Sequence, residues 1–85
     1  MNPATVLVVD DEDLIRWSLR ARLEEDGYDV DEAPDGRSAL ERVAGGVDLV
    51  LLDFRLPDID GLELLRRIKG SQPETVVVLM TAHST

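Results

Sequence analysis

The sequence predicts an α/β fold class: a doubly wound parallel sheet, built as β-α-β-α-β-α-β, in strand order 2-1-3-4. Three observations predict it. Short, continuous apolar runs recur at Val6-Leu7-Val8-Val9, Leu49-Val50-Leu51-Leu52 and Val76-Val77-Val78-Leu79-Met80, the first of them rich in β-branched residues, as strands buried in a parallel sheet do. Between them the apolar residues switch to helical spacing. Glycine, proline and aspartate punctuate each switch.

The elements follow in order. Val6 to Val9 reads as a central strand, because it is apolar on both faces. Ile15, Leu19 and Leu23 recur every four residues and predict a helix over about 13–26, with acidic residues crowding its first turn. Gly27 stops it in the left-handed position. Tyr28 to Glu32 alternates apolar and acidic residues, as an edge strand does. Pro34-Asp35-Gly36 is a turn, and Asp35 can cap the helix that follows. Leu40, Val43 and Ala44 form that helix's apolar stripe, and Gly45-Gly46 ends it. Residues 48–52 make the third strand, closing at Asp53. After a loop containing Pro57, Gly61 opens a third helix with Leu64, Leu65 and Ile68 on one face. Residues 70–73 break it, and Val76 to Met80 forms the fourth strand.

Composition bounds the function. Eighty-five residues make one domain, 1–85, and 44% apolar residues suffice for a core. Eighteen acidic against nine basic residues give a net charge of -9, which argues against direct nucleic-acid binding. No apolar run is long enough to span a membrane, and the first five residues lack the features of a signal peptide. The absence of cysteine excludes thiolate metal sites and fits a reducing, cytoplasmic location.

Ligand chemistry in such sheets gathers beyond the carboxyl ends of the strands, where the winding reverses. Asp10 and Asp11 end the first strand there, Asp53 ends its neighbour, and Thr81 ends the next. Two ionised carboxylates about 5 Å apart, at an effective dielectric near 20, repel by about 3 kcal/mol. A protonated carboxyl or a shared cation must relieve this, and an all-oxygen site suits Mg²⁺. The run Asp10-Asp11-Glu12-Asp13 alone reads first as a solvated, helix-capping cluster. Aspartate at position 53, closing an apolar strand, shifts the reading toward chemistry. Mg²⁺ beside a carboxylate nucleophile is equipment for phosphoryl transfer, through an acyl phosphate on aspartate. The Thr81 hydroxyl and the Ala82 N–H can bond the bound phosphoryl group. Asp58 and Asp60 suit turn or capping roles.

The stretches VLVVDDE at 6–12, LLDFRLPDIDG at 51–61 and VVVLMTAH at 76–83 resemble the receiver domain of two-component response regulators, a flavodoxin-like (CheY-like) fold. DFRLPDIDG and MTAHS are most similar to receivers of NtrC-like transcription activators. The resemblance implies that Asp53 accepts a phosphoryl group from a sensor histidine kinase. It implies direct Mg²⁺ binding by Asp11, Asp53 and the backbone carbonyl of Arg55, with Asp10 acting through water. Thr81 would be the switch hydroxyl. The phosphorylated domain would then act on output domains in a longer parent chain controlling transcription.

Members of the family carry a further helix, strand and helix, including a lysine that pairs with the phosphoryl group. The resemblance therefore implies a C-terminally truncated receiver lacking the fifth strand and last two helices; Lys69 cannot replace that lysine. The fourth strand becomes an apolar edge, and one sheet face is bare, so a homodimer through that edge is expected.

Three other readings compete. A haloacid-dehalogenase-type phosphatase needs an aspartate where Arg55 stands. A flavodoxin needs a phosphate-cradling first loop, which Asp10-Asp11-Glu12 would repel. An unphosphorylated receiver-like interaction module, or an inactive fragment, is the remaining alternative. Among the smaller signals, Trp17 reads as a partly exposed filler, His83 as a loop residue near the site, and Arg16, Arg20 and Arg22 as surface partners for Glu24 or Glu25.

Overall fold

The structure, a computed structural model, describes residues 3–80. Its elements run β1 (Thr5–Val9), α1 (Asp13–Glu25), β2 (Asp29–Ala33), α2 (Gly36–Ala44), β3 (Leu49–Asp53), α3 (Gly61–Ser71) and β4 (Val76–Met80). All strand pairs are parallel and the order is β2-β1-β3-β4, as predicted.

Side chains on a strand alternate between faces, and the two cores follow from that alternation. Leu7 and Val9 of β1, with Val50 and Leu52 of β3, face α2 and α3, meeting Ala39, Val43, Leu64 and Ile68. Val6, Val8 and Val30 face the other way, toward Leu19 and Leu23 of α1. One helix therefore covers one face and two cover the other. The winding reverses between β1 and β3.

The single-helix face is incompletely covered. Val76 and Val78, on β4, are 54% and 43% exposed, while their neighbours Val77 and Leu79 pack into the α2/α3 core. The fourth strand is thus half buried, rather than buried throughout. Ile15, expected on the buried stripe of α1, is 39% exposed, because α1 sits over β1 and β2 and away from β4. On α2 the buried residues are Gly36, Ala39 and Val43; Leu40 packs at the core margin, and Ala44 is exposed against expectation.

Boundaries follow local chemistry. Gly27 and Gly46 have φ of +92° and +95°, the left-handed region that follows a helix end. Asp35 caps α2 by accepting from Ser38 N at 2.9 Å. Asp60 caps α3 by accepting from Leu62 N at 2.8 Å. Glu12 holds the cap position of α1 but makes no capping bond with its side chain, and Asp13 is the only acidic residue in the first turn. The acidic run before α1 therefore does not serve as that helix's cap.

Candidate functional site: an acidic crevice at the strand ends

β1 and β3 are adjacent, and their carboxyl ends deliver Asp10 and Asp53 to one place. Asp10 N donates to Ala33 O at 3.1 Å, continuing the β1/β2 ladder by one residue. Asp53 pairs in register with Met80, and Phe54 N donates to Met80 O at 3.1 Å. Both aspartates are buried, each 5% exposed. A crevice of about 390 Å³ opens above them, lined by Asp10, Glu12, Ile15, Ser18, Leu19, Asp53 and Met80.

Carboxylate oxygens of Asp10, Asp11 and Glu12 lie within 4.8 Å of one another. Asp53 stands outside that cluster of three but close enough to raise the Asp10 pKa by its charge. Asp10 is held above its ordinary value first by burial, then by the negative charges of Asp53, Asp11 and Glu12. A hydrogen bond from Glu12 N to Asp10 Oδ1, at 2.9 Å, works against them. The repulsion expected from the sequence is thus present between Asp10 and Asp53. Glu12 was not singled out as a site residue; its only signal was membership of the acidic run.

Arg55 N donates to Asp53 Oδ1 at 3.3 Å, so the loop after β3 folds back over the phosphoacceptor candidate. The Arg55 backbone also bridges to Asp60. Gly61 makes this fold-back feasible: its N donates to Phe54 O at 3.1 Å, and a Cβ there would sit 2.7 Å from that same oxygen. Asp58 completes the loop's anchoring. Its Oδ1 and Oδ2 accept from Gly36 N and Arg37 N at 2.9 and 3.0 Å, capping the start of α2 from across the sequence. The capping role foreseen for Asp58 is therefore real but falls on another helix. Thr81, Ala82 and His83 lie outside the described residues.

The arginines of α1 require a correction. Arg20 pairs with Glu24 at 3.1 Å, as expected, but also with Glu32 at 2.5 Å, and it donates to Val30 O at 3.0 Å. Arg16 is no surface partner of Glu24 or Glu25. It is buried, and its guanidinium reaches Asp10 O at 2.6 Å, Glu32 Oε1 at 3.1 Å, and Asp13. Burial requires all three contacts, since an unpaired guanidinium there would be costly. Trp17 is 61% exposed. Lys69 donates to Pro73 O and Thr75 O at 2.7 and 2.8 Å, at the opposite end of the sheet from the crevice.

The donor set fits Mg²⁺. Every candidate ligand is a hard oxygen, and the buried pair Asp10 and Asp53 has a raised pKa on one member that a cation would reverse. Among the described residues, the buried cation Arg16 bonds the Asp10 backbone and not its carboxylate.

Comparison with known proteins agrees with this geometry. The family described as "Response regulator receiver domain" matches residues 6–85. Response regulator MprA of Mycolicibacterium vanbaalenii is 39% identical over 84 residues, covering 98% of this chain and 36% of that protein. Transcriptional regulatory protein DltR of Streptococcus agalactiae is 44% identical over 80 residues, covering 93% of this chain and 36% of that protein. The chain thus spans about a third of the length of the curated relatives it matches. Among solved structures, response regulator protein TrrA from Thermotoga maritima, in complex with Mg(2+)-BeF, superposes with a TM-score of 0.89 at 41% identity. It covers 95% of this chain and 71% of that one. A CheY-like receiver domain protein from Methanospirillum hungatei reaches a TM-score of 0.93 at 29% identity, covering 99% and 68%. Receivers of this kind are generally not turnover enzymes, and the relatives include transcriptional regulators. The order of the strands, the acidic crevice at their ends and the match over residues 6–85 identify the chain as a member of the receiver domains of two-component response regulators.

Proposed function

We propose that Asp53 is the phosphoacceptor of this receiver, and that Asp11, Asp53 and the Arg55 carbonyl hold Mg²⁺ directly while Asp10 acts through water. The single observation that carries this reading is the burial of Asp10 and Asp53 side by side, with the Asp10 pKa raised in part by Asp53. Evolving a pair of buried, mutually repelling carboxylates destabilises a fold unless a ligand relieves it. The TrrA structure, in complex with Mg(2+)-BeF, supports the same metal here.

When bound, Mg²⁺ would offset negative charge on the transferring phosphoryl oxygens. The chain's own residues do the rest. Arg55 N–H holds one Asp53 oxygen, which orients the carboxylate in the crevice. An Asp53 oxygen attacks the phosphorus of a phosphohistidine on the sensor kinase. The O–P bond forms as the P–N bond breaks, and the electron pair stays on the imidazole nitrogen, which takes a proton from solvent. In this reading Thr81 then moves toward the acyl phosphate as the switch hydroxyl, and Ala82 N–H bonds a phosphoryl oxygen. The domain assists its own phosphorylation without turning over. Its output domains lie in a longer cytoplasmic protein that controls transcription. A homodimer through the β4 edge belongs to the same reading, and it would cover Val76 and Val78, which are exposed on the sheet face beside that edge.

The test is intact mass after incubation with acetyl phosphate and Mg²⁺. The unaltered chain should gain one hydroxylamine-sensitive phosphoryl group, and Asp53→Asn should gain none. A retained, hydroxylamine-sensitive gain in Asp53→Asn would move the acceptor elsewhere. No gain by the unaltered, folded chain would favour an interaction module.

A further inference from the structure

Arg16 is the one arginine of the described residues buried to 9% exposure, and it bonds the backbone of Asp10, which lines the acidic crevice. Its three guanidinium nitrogens take three separate partners. Nη1 donates to the backbone oxygen of Asp10 at 2.6 Å, Nε to Glu32 Oε1 at 3.1 Å, and Nη2 to Asp13 Oδ1. These partners belong to the end of β1, to β2 and to the first turn of α1. Glu32 is itself held from the far side by Arg20 Nη1 at 2.5 Å. A fork of this kind fixes direction as well as distance.

We infer that Arg16 is a positioning residue for the cation site: it clamps the Asp10 carbonyl and so fixes the peptide that aims Asp11. The inference rests on the Mg²⁺ reading given above. Three consecutive acidic residues, Asp10 to Glu12, repel one another, and an unrestrained loop would splay their side chains toward water. Arg16 holds one side of this loop, while Asp10 Oδ1 holds Glu12 N at 2.9 Å on the other. Because Arg16 bonds the Asp10 backbone, it leaves that carboxylate's charge available. Glu32 and Asp13 absorb the arginine's own charge.

Charge and position predict opposite signs. Removing a cation beside a Mg²⁺ site strengthens binding if only the field matters. Removing a support that aims the ligands weakens it, by about tenfold or more for residues that orient metal ligands. The experiment is calorimetric titration of Mg²⁺ into the unaltered chain, Arg16→Met, Arg16→Lys and Glu32→Gln, with circular dichroism and melting curves to establish that each is folded. Positioning predicts about tenfold weaker binding in Arg16→Met. Arg16→Lys, which keeps the charge but loses the fork, should also bind more weakly, and Glu32→Gln should show a smaller loss. Equal or tighter binding in folded Arg16→Met would overturn the inference alone. Should that variant not fold, unchanged affinity in both Arg16→Lys and Glu32→Gln would overturn it. No Mg²⁺ binding by the unaltered chain would overturn the site reading, and this inference with it.

Discussion

Asp10 is where burial and charge conflict most directly. Its folded pKa lies above the ordinary value of 3.8, chiefly through desolvation. The native state therefore keeps this proton longer than the unfolded chain does. Stability is greatest below 3.8 with respect to this group and declines as pH rises through the window above it. Asp10→Asn should accordingly raise the melting temperature of the metal-free chain at neutral pH and flatten that decline. The same variant should bind Mg²⁺ more weakly, which separates a site residue from a structural one. Thermal melts across pH, with and without Mg²⁺, read both effects. At this scale the sequence was partly legible. Asp10, Asp11 and Asp53 could be placed because aspartate is out of character at the end of an apolar strand. Arg16 could not, since a buried arginine is spelled like a surface one. Its partner Glu32 comes from a different element, the strand β2, and no local spacing announces the pair.

Among the elements, the loop between β3 and α3 matters most to the site, since it carries Arg55. Two contacts hold it. Gly61 lies against the Phe54 backbone so closely that Gly61→Ala would place a Cβ 2.7 Å from Phe54 O. Backbone on both sides cannot yield cheaply, so the variant should lose about 1–3 kcal/mol in urea unfolding, in the range of overpacked sites. The second contact is Asp58, which bonds Gly36 N and Arg37 N at the start of α2. Asp58→Ala should cost about 1 kcal/mol, as for other lost helix caps, and hydrogen exchange should quicken at Gly36 and Arg37. Unaltered exchange there would contradict the contact. The element order and both glycine stops were legible, because strand runs and helix stripes differ in period. The cross-chain cap was not: aspartate in a turn offers the same local signal whether it serves its own helix or another. The misplacement of Ala44 on the α2 stripe has a similar cause. Ala39 is small enough to sit directly under the sheet, and a nine-residue helix carries little periodic signal.

For the molecule as a whole, the covering of the sheet and the crevice at its strand ends have one consequence each. Strand order was legible because β1 is apolar on both faces and β2 alternates. The bare region over β4 was legible as well, although the exposure of Ile15 was not, since helical spacing fixes a stripe but not what lies opposite. Val76 and Val78 present exposed apolar side chains on the sheet face beside the β4 edge, which a second copy pairing at that edge would cover. Sedimentation at micromolar concentration should find a dimer or larger species, and a monomer would end that proposal. The acidic crevice has its own consequence. Mg²⁺ at 100 times its Kd should stabilise the chain by about 2.7 kcal/mol, a melting-temperature rise on the order of 10 °C for a domain of this size. The finer likeness to NtrC-like activators rests on two short stretches, one of which lies largely outside the described residues.

All of this depends on one shared cation between neighbouring strand ends. Calorimetric titration of Mg²⁺ into the unaltered chain, Asp11→Asn and Asp53→Asn tests it most directly. One site per chain, weakened at least tenfold by either substitution in a still-folded protein, is the predicted result. Undiminished binding in Asp53→Asn would contradict it, because the ion would then belong to the Asp10-Asp11-Glu12 cluster alone.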